Sequence, residues 1–397
     1  MNKPALDDGK PVRENVLPAF RPMIGDEEIE EVTESLRSGW ITTGPKVEEF
    51  EEQFCEYVGC ENAISVNSCT SALHLSLAVN DISEGDEVIT SPFTFVSTVN
   101  VIEHQNAKPV LVDVDEKTYN LDPDKLEDKI TENTKAIIPV HYGGQPCEMD
   151  EIIKIADQHD LIVIEDAAHA LGAEYKGQKI GTISDHTCFS FYATKNLTTS
   201  EGGMITTDDP DLGRRLRELS LHGMNKDAWK RYARKGSWYY DVKALGFKYN
   251  FTDIQASIGQ RQLDKFEEMQ ARRHKIAERY NNEFEGLDEI EVPQVKEHVK
   301  HAWHLYPIQV EQGLLSIDRN EFIEALSAEN IGTSVHFIPV HMHSYYSEKY
   351  GYKPEDYPVS RRLFKGEISI PLYPKMDDDD VEDVIEGVKK IVEYYKK

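Results

Sequence analysis

One lysine follows a run of apolar residues in the stretch CFSFYATKNLTTSEGGMITT, residues 188 to 207. The run at 189 to 192 predicts a buried strand, and a glycine-rich turn follows Lys195. A lysine in a loop is ordinarily solvated and has no chemical role. Here the strand can carry the amine into a cleft, where loss of solvation lowers its pKa. A neutral amine of this kind is what a Schiff-base lysine requires.

Two other features of the sequence have chemical potential. Asp166 ends the apolar segment LIVIED, and ligands of open α/β sheets lie at the carboxyl ends of the strands. NSCTSALHL predicts a strand, a turn and the start of a helix, where the N–H groups of Thr70 and Ser71 can hold a phosphate. Helix capping explains each feature equally well. Asp166 would cap the segment that follows it, and Ser68 or Thr70 would cap the helix. The usual dinucleotide and P-loop glycine patterns are missing.

The three features together fit one cofactor. Pyridoxal phosphate needs an amine for its aldehyde, a carboxylate that keeps the pyridine nitrogen protonated, and an anchor for its phosphate. Lys195, Asp166 and the helix start at Thr70 are of these types. The combination therefore indicates pyridoxal phosphate more specifically than any single member does.

The elements that must position these residues alternate between strand and helix from residue 62 onward. Nearly continuous apolar strands predict a mainly parallel sheet with helices on both faces. A long helical region is predicted at 251 to 285, and a helix begins at the acidic run 377 to 380. We expect a large α/β domain over residues 1–265, with an N-terminal helical segment, and a smaller C-terminal α+β domain over 266–397.

Composition narrows the classes of function. The net charge of -28, without a basic run, argues against a nucleic-acid surface. The five cysteines include no CxxC pair, so we expect no metal site and no disulfide framework. No apolar stretch is long enough for a signal peptide or a membrane span, and we expect a cytoplasmic protein.

The segments EDAAHALGAEYKG and FSFYATKNLTTSEGGMITT strongly resemble the DegT/DnrJ/StrS family of sugar aminotransferases. Other segments resemble family motifs in family order: SGWITTGPKVEEFE, NSCTSALHLSL, GDEVITSPFTFVSTVN, PVHYGG, FKYNFTDIQASIGQRQL and IGTSVHFIPVH. The resemblance covers nearly the whole chain and implies the fold-type I architecture of aspartate aminotransferase. Within the family the chain is most similar to nucleotide-sugar C4 aminotransferases of the spore-coat polysaccharide (SpsC-like) type.

The resemblance implies roles for the residues around the cofactor. Lys195 would bind it covalently and carry protons between the C4' position of the cofactor and the sugar carbon. Asp166 would pair with the pyridine nitrogen, Phe95 would stack on the ring, and His169 would lie near the phenolic oxygen. The residues implied for the phosphate are Thr70, Ser71, Ser190 and, from a neighbouring subunit, either Asn250 or Lys248.

The resemblance also implies the substrates and the assembly. Trp40, Thr42, His336 and His341 are the candidates for binding the sugar nucleotide. Glutamate would give its amino group to a nucleotide-linked 4-keto-6-deoxy sugar and leave as 2-oxoglutarate, in a homodimer whose subunits share the active site. The product would serve polysaccharide or glycan biosynthesis.

Three alternatives stay open at this point. They are transamination at C3, a sugar dehydratase that uses pyridoxal phosphate, and a non-catalytic regulator on the same fold. Dehydratases of this kind carry a histidine at the lysine position, and a regulator would have no need of Lys195, Asp166 and Ser190. The chain departs from the family pattern at Cys69, usually glycine or alanine, and at Ser200, usually glycine. Serine is strained at position 200 if its φ is positive.

Overall fold

The computed structural model describes residues 3–224, 240–311 and 313–397. The strands are β1 Asn62–Val66, β2 Glu87–Thr90, β3 Lys108–Leu111, β4 Thr134–Ile138, β5 Ile162–Asp166, β6 Glu174–Tyr175, β7 Gln178–Lys179, β8 His186–Ser190, β9 Gly203–Thr207, β10 Ile290–Glu291, β11 Val299–Lys300, β12 Tyr306–Val310 and β13 Glu367–Ile370. The helices are α1 Asp26–Ser38, α2 Pro45–Val58, α3 Cys69–Val79, α4 Ser97–His104, α5 Met149–His159, α6 Pro210–Ser220, α7 Asp253–Asp264, α8 Phe266–Phe284, α9 Arg319–Ala328, α10 Ser344–Tyr350, α11 Pro358–Gly366 and α12 Asp378–Tyr395.

A seven-stranded sheet in the order β1-β9-β8-β5-β4-β2-β3 forms the centre of the larger part of the chain. The pairs from β8 to β3 are parallel, and β9 is antiparallel to both of its neighbours. The strands are apolar on both faces because helices cover both faces. The predicted α/β class with a mainly parallel sheet is confirmed.

Aromatic side chains of α2 pack against the strand that precedes Lys195 and against the residue that follows this strand. Phe54 packs edge-on against Phe189 and Phe191, with ring centroids 5.3 and 5.7 Å apart, and Phe50 lies 5.6 Å from Phe191. All four rings are fully buried. Burying one such ring contributes roughly 1.5–3 kcal/mol. These contacts therefore fix the position of the carboxyl end of β8 relative to α2.

The smaller part of the fold is built on the three-stranded antiparallel sheet β10-β12-β13. Its apolar core takes residues from α8, α9 and α12. The last helix begins where the acidic run predicts, because Asp377 Oδ1 accepts the N–H of Asp380 at 2.8 Å. In a third sheet, of order β11-β6-β7, the short strand β11 pairs with β6.

The N-terminal segment packs on this smaller part. Leu17 pairs with Ile331 and lies in the same apolar cluster as α9 and α12. The buried carboxylate of Glu329 accepts the N–H groups of Ala5 and Val12, both at 2.8 Å. The division of the chain at residue 265 stays a prediction.

The long helical region predicted at 251 to 285 is present as two successive helices, α7 and α8, separated at Lys265 (φ -105°, ψ 9°). The alternation in SVHFIPVH, residues 334 to 341, is typical of a strand and loop, but the structure has only an isolated bridge there, in which Ser334 and Ser369 exchange two backbone hydrogen bonds. The chain then leaves the sheet and turns toward the cleft. Among the described residues, no helix combines the length and apolar character that a bilayer crossing needs.

Candidate active site

A cleft of about 690 Å³ opens at the carboxyl ends of the central strands, beside the smaller sheet. This size suits a cofactor together with a small substrate. Its lining includes seven of the predicted residues: Thr70, Phe95, Asp166, His169, Ser190, Lys195 and His336. The sequence therefore predicted residues that are distant along the chain but adjacent in space.

Lys195 enters the cleft from the turn after β8. Its N–H donates to Tyr192 O at 2.9 Å, and the turn closes with Thr199 N–H on Phe191 O at 2.9 Å. Burial lowers the pKa of Lys195 to about 8, although the neighbouring Cys69 and Asp166 act in the opposite direction. The neutral form of the amine, which nucleophilic attack on an aldehyde requires, is therefore reached at a lower pH than in an exposed lysine.

Asp166 is held by two donors at the end of β5. Thr98 Oγ1 donates to Oδ2 at 2.7 Å, and the Ala168 N–H donates to Oδ1 at 3.2 Å. Burial raises the pKa of Asp166, and the two donors and Lys195 partly oppose that rise. A carboxylate fixed in this way can accept a hydrogen bond from a protonated ring nitrogen. Sequence reasoning missed Thr98, although it lies in the quoted motif FTFVST.

The start of α3 borders the cleft, but the polar groups of Ser71 already have partners within the chain. Ser68 caps the helix, and its Oγ accepts the Ser71 N–H at 3.1 Å. Ser71 Oγ donates to Asn67 Oδ1 at 2.6 Å, so the N–H and the hydroxyl of Ser71 are both used inside the chain. Thr70 and Ser190 do line the cleft. A Cβ on Gly203 would lie 2.6 Å from Ser68 C, so only glycine lets β9 approach the helix start this closely.

Two imidazoles lie against each other beside Lys195. The rings of His169 and His304 are 4.3 Å apart, and burial lowers the pKa of both. Gly143 N–H donates to His169 Nδ1 at 3.3 Å, so the proton of the neutral ring is on Nε2. His304 Nδ1 donates to Asn196 Oδ1 at 3.1 Å. His304 also lines the cleft and was missed by sequence reasoning.

The two predicted substrate histidines have different surroundings. His336 lines the cleft beside Phe337. His341 is fully buried, lies 4.7 Å from the ring of Tyr357 and is not part of the cleft lining. Its contact with substrate stays a prediction.

Four further predicted residues lie outside the cleft lining, and the two segments that contain them contact each other. Asn250 Nδ2 donates to Thr43 Oγ1 at 2.8 Å, and Thr42 O accepts the Asp253 N–H at 2.9 Å. Lys248 lies two residues before Asn250, and Trp40 lies in the loop that leads to Thr42. We call this set, Trp40, Thr42, Lys248 and Asn250, the outer group.

The residue types around the cleft fit pyridoxal phosphate. The cleft combines an amine with a lowered pKa, a carboxylate held by two donors, and the start of a capped helix. The exposed ring of Phe95, also in the lining, offers a flat apolar face. Across residues 3–224, 240–311 and 313–397, no three His, Cys, Asp or Glu side chains are grouped to hold a metal ion.

Comparison with known proteins identifies relatives along nearly the whole chain. The uncharacterized protein MJ1066 of Methanocaldococcus jannaschii is 60% identical over 381 residues, 96% of this chain and 99% of the relative. The spore coat polysaccharide biosynthesis protein SpsC of Bacillus subtilis is 54% identical over 381 residues, covering 96% and 98%.

Solved structures share the fold. Spr1654 of Streptococcus pneumoniae, described as a sugar aminotransferase, superimposes in its PMP form with a TM-score of 0.90 at 38% identity, covering 95% of this chain and 99% of that one. Its PLP form gives 0.89 at 37% identity, covering 96% and 99%. The model of the DegT/DnrJ/EryC1/StrS aminotransferase family matches residues 22–389. The chain belongs to this aminotransferase family.

Proposed function

We propose that the protein transfers the amino group of glutamate to a nucleotide-linked 4-keto-6-deoxy sugar, for polysaccharide biosynthesis. Glutamate leaves as 2-oxoglutarate, and the keto sugar becomes a 4-amino sugar. The cofactor is pyridoxal 5'-phosphate, the group for which one Spr1654 structure is named. The observation that carries the proposal is the convergence of Lys195, Asp166 and the start of α3 on one cleft.

The chain's own residues would divide the work. The cofactor supplies an electron sink when it is bound. The neutral Nζ of Lys195 would accept the proton from Cα of the donor and later deliver one to the sugar carbon that receives nitrogen. Asp166, fixed by Thr98, would hold the cofactor's ring nitrogen, and Thr70 and Ser190 would donate to its phosphate.

The outer group supports a homodimer with shared active sites. Asn250 and Thr42 belong to neighbouring segments that do not line the cleft of their own chain. Phe95, 58% exposed, and Tyr192, 46% exposed, leave the rim of that cleft apolar and open. A second copy would cover this rim and could bring its outer group to the phosphate and the sugar nucleotide.

The cofactor and the amino donor can be tested by colour. Purified protein should be yellow and should bleach when glutamate is added. Lys195→Ala should lose this response, whereas Lys176→Ala, a change at an exposed lysine paired with Asp150, should keep it. Wild-type protein that stays colourless with excess cofactor would contradict the proposal.

The acceptor needs a separate test. The glutamate-treated enzyme should be mixed with UDP-, dTDP- and GDP-linked keto sugars, and recovery of the yellow colour identifies the acceptor. NMR of the product then distinguishes amination at C4 from amination at C3. Amination at C3, or no acceptor in the panel, would overturn the proposed substrate without affecting the family assignment.

A further inference from the structure

A carboxyl group is buried behind the cleft at the start of β13. Glu367 is 0% exposed, and no cationic side chain of the described residues forms an ion pair with its carboxyl group. Arg319 donates to the backbone oxygen of Glu367, not to its carboxyl group, at 2.9 Å. An ionised carboxylate in such a place is costly unless hydrogen bonds compensate for lost solvation. The groups that face it are His336, Ser369, Tyr119, Tyr142, Gln309 and Arg319.

Hydrogen bonds connect this acid to the cleft. Glu367 Oε2 accepts the backbone N–H of His336 at 2.8 Å, and Oε1 lies 2.5 Å from Ser369 Oγ. Ser369 Oγ lies 2.9 Å from His336 Nδ1. The imidazole of His336 lines the cleft near Lys195, with Nδ1 occupied by Ser369 and Nε2 as its remaining polar atom. We call the chain Glu367–Ser369–His336 the relay.

The protonation state of the acid determines the direction of each bond in the relay. Oε2 must accept, because its partner is a backbone N–H. A protonated Glu367 therefore donates from Oε1 to Ser369 Oγ, the hydroxyl donates to His336 Nδ1, and the ring proton is on Nε2. An ionised Glu367 accepts from the hydroxyl, which in turn accepts from Nδ1–H, and Nε2 is then bare.

The two states differ by one proton. On ionisation, the Nε2 proton leaves to water in the cleft, the hydroxyl proton moves to Nδ1, and the Glu367 proton moves to Oγ. Burial raises the pKa of Glu367 to about 8, although its hydrogen bonds with Ser369 and His336 and the charge of Arg319 oppose that rise. Burial and Lys195 lower the pKa of His336 to about 4. Both groups are then uncharged at pH 7.

We propose that Glu367, acting through Ser369, sets the tautomer of His336, so that at neutral pH His336 presents an Nε2–H donor to an oxygen of the bound sugar. Glu367 and Ser369 are positioning residues, because neither is argued to touch substrate. This inference rests on the proposed function for the identity of that oxygen. The tautomer itself depends only on the chain.

The tautomer can be measured directly by ¹⁵N NMR of histidine side chains in the holoenzyme, with His336→Gln used to assign the signal. In wild-type protein His336 should be the Nε2–H tautomer at pH 7 and should convert to Nδ1–H with a midpoint near pH 8. Glu367→Gln should stay Nε2–H at pH 9, because its amide N–H replaces the acid proton toward Ser369. An Nδ1–H tautomer at pH 7, or the same titration in Glu367→Gln, would overturn the proposal.

Kinetics give a second readout. Wild-type kcat/KM for the keto sugar should fall above pH 8, and Glu367→Gln should lose this fall. Ser369→Ala should raise KM for the sugar roughly tenfold while bleaching by glutamate stays normal, since one hydrogen bond to the sugar loses its support. Circular dichroism checks that both variants fold. An unchanged KM for the sugar in Ser369→Ala would contradict the relay. If no sugar reacts with the wild-type enzyme, the proposed function fails, and the NMR measurement still tests the tautomer of His336 by itself.

Discussion

At the scale of single residues, burial brings the pH at which Lys195 becomes reactive closer to neutral. Burial lowers the pKa of its amine from 10.5 to about 8, while Asp166 and Cys69 raise it. Labelling of the apoenzyme at Lys195 by an amine-specific reagent should therefore rise with pH, with a midpoint near 8. Asp166→Asn should move the midpoint lower, because a nearby carboxylate favours the charged ammonium. The site of labelling is read by peptide mass spectrometry.

An exposed lysine supplies the reference for this measurement. The side chain of Lys108 is 59% exposed, and the extent of its labelling should be the same in wild-type protein and in Asp166→Asn. A midpoint for Lys195 near 10.5 would mean that burial does not control its amine. A rise of the midpoint in Asp166→Asn would contradict the assigned sign of the interaction.

The residues that sequence reasoning found and missed differ in how far their partners lie along the chain. Lys195 and Asp166 were found because each follows an apolar strand at the sheet edge where ligands bind. Thr98 is 68 residues from Asp166, and Ser369 is 33 residues from His336. No local pattern distinguishes a hydroxyl that will meet a distant carboxyl group from one that caps a turn. Such partners become visible only in the folded chain.

At the scale of elements, the turn after β8 contains the one departure whose backbone could be strained. Ser200 has φ 73°, in the left-handed region that favours glycine. A non-glycine residue pays about 1–2 kcal/mol there, whereas glycine costs roughly 0.5–1 kcal/mol through the entropy of the unfolded chain. Ser200→Gly should thus raise the free energy of unfolding by about 0.5–1 kcal/mol, measured by urea denaturation of the apoenzyme.

A neighbouring glycine gives the opposite result and serves as the control. A Cβ on Gly202 would lie 2.4 Å from Thr199 Oγ1 and 2.7 Å from the ring of Phe251. Gly202→Ala should destabilise the protein by about 1–3 kcal/mol, because the buried contacts cannot both move away. The backbone N–H of residue 200, which donates to Thr198 Oγ1, is kept in Ser200→Gly. Equal stability of Ser200→Gly and wild type would therefore contradict strain at this position.

The tertiary environment decides details that the local pattern leaves open. The alternation at 334 to 341 is typical of a strand and loop, but only Ser334 pairs with β13 before the chain turns to the cleft. The helical region predicted at 251 to 285 is present, but it is divided into two helices at Lys265. The second helix can then place Phe266 in the core of the larger part and Tyr280 in that of the smaller part. Periodicity indicates the element type, whereas long-range packing decides where an element stops.

At the scale of the whole molecule, exposed apolar side chains next to the outer group and the cleft predict self-association. Leu245 is 95% exposed and Ile41, between Trp40 and Thr42, is 53% exposed. Burying one leucine in an interface contributes roughly 1.5–3 kcal/mol, and a buried glutamate would add a desolvation cost. Leu245→Glu should therefore weaken the dimer at least tenfold, as measured by sedimentation equilibrium.

The matched control is Leu314→Glu, which changes a 43% exposed leucine beside the C-terminus, where its carbonyl accepts the Lys397 N–H. This variant should sediment as wild type does. If Asn250 or Lys248 reaches the phosphate in the neighbouring chain, dissociation of Leu245→Glu should also release the yellow cofactor, and absorbance during sedimentation follows both events at once. Wild-type protein that is monomeric at micromolar concentration would contradict the shared site. A Leu245→Glu monomer that keeps its cofactor would contradict the proposed contact between the outer group and the phosphate.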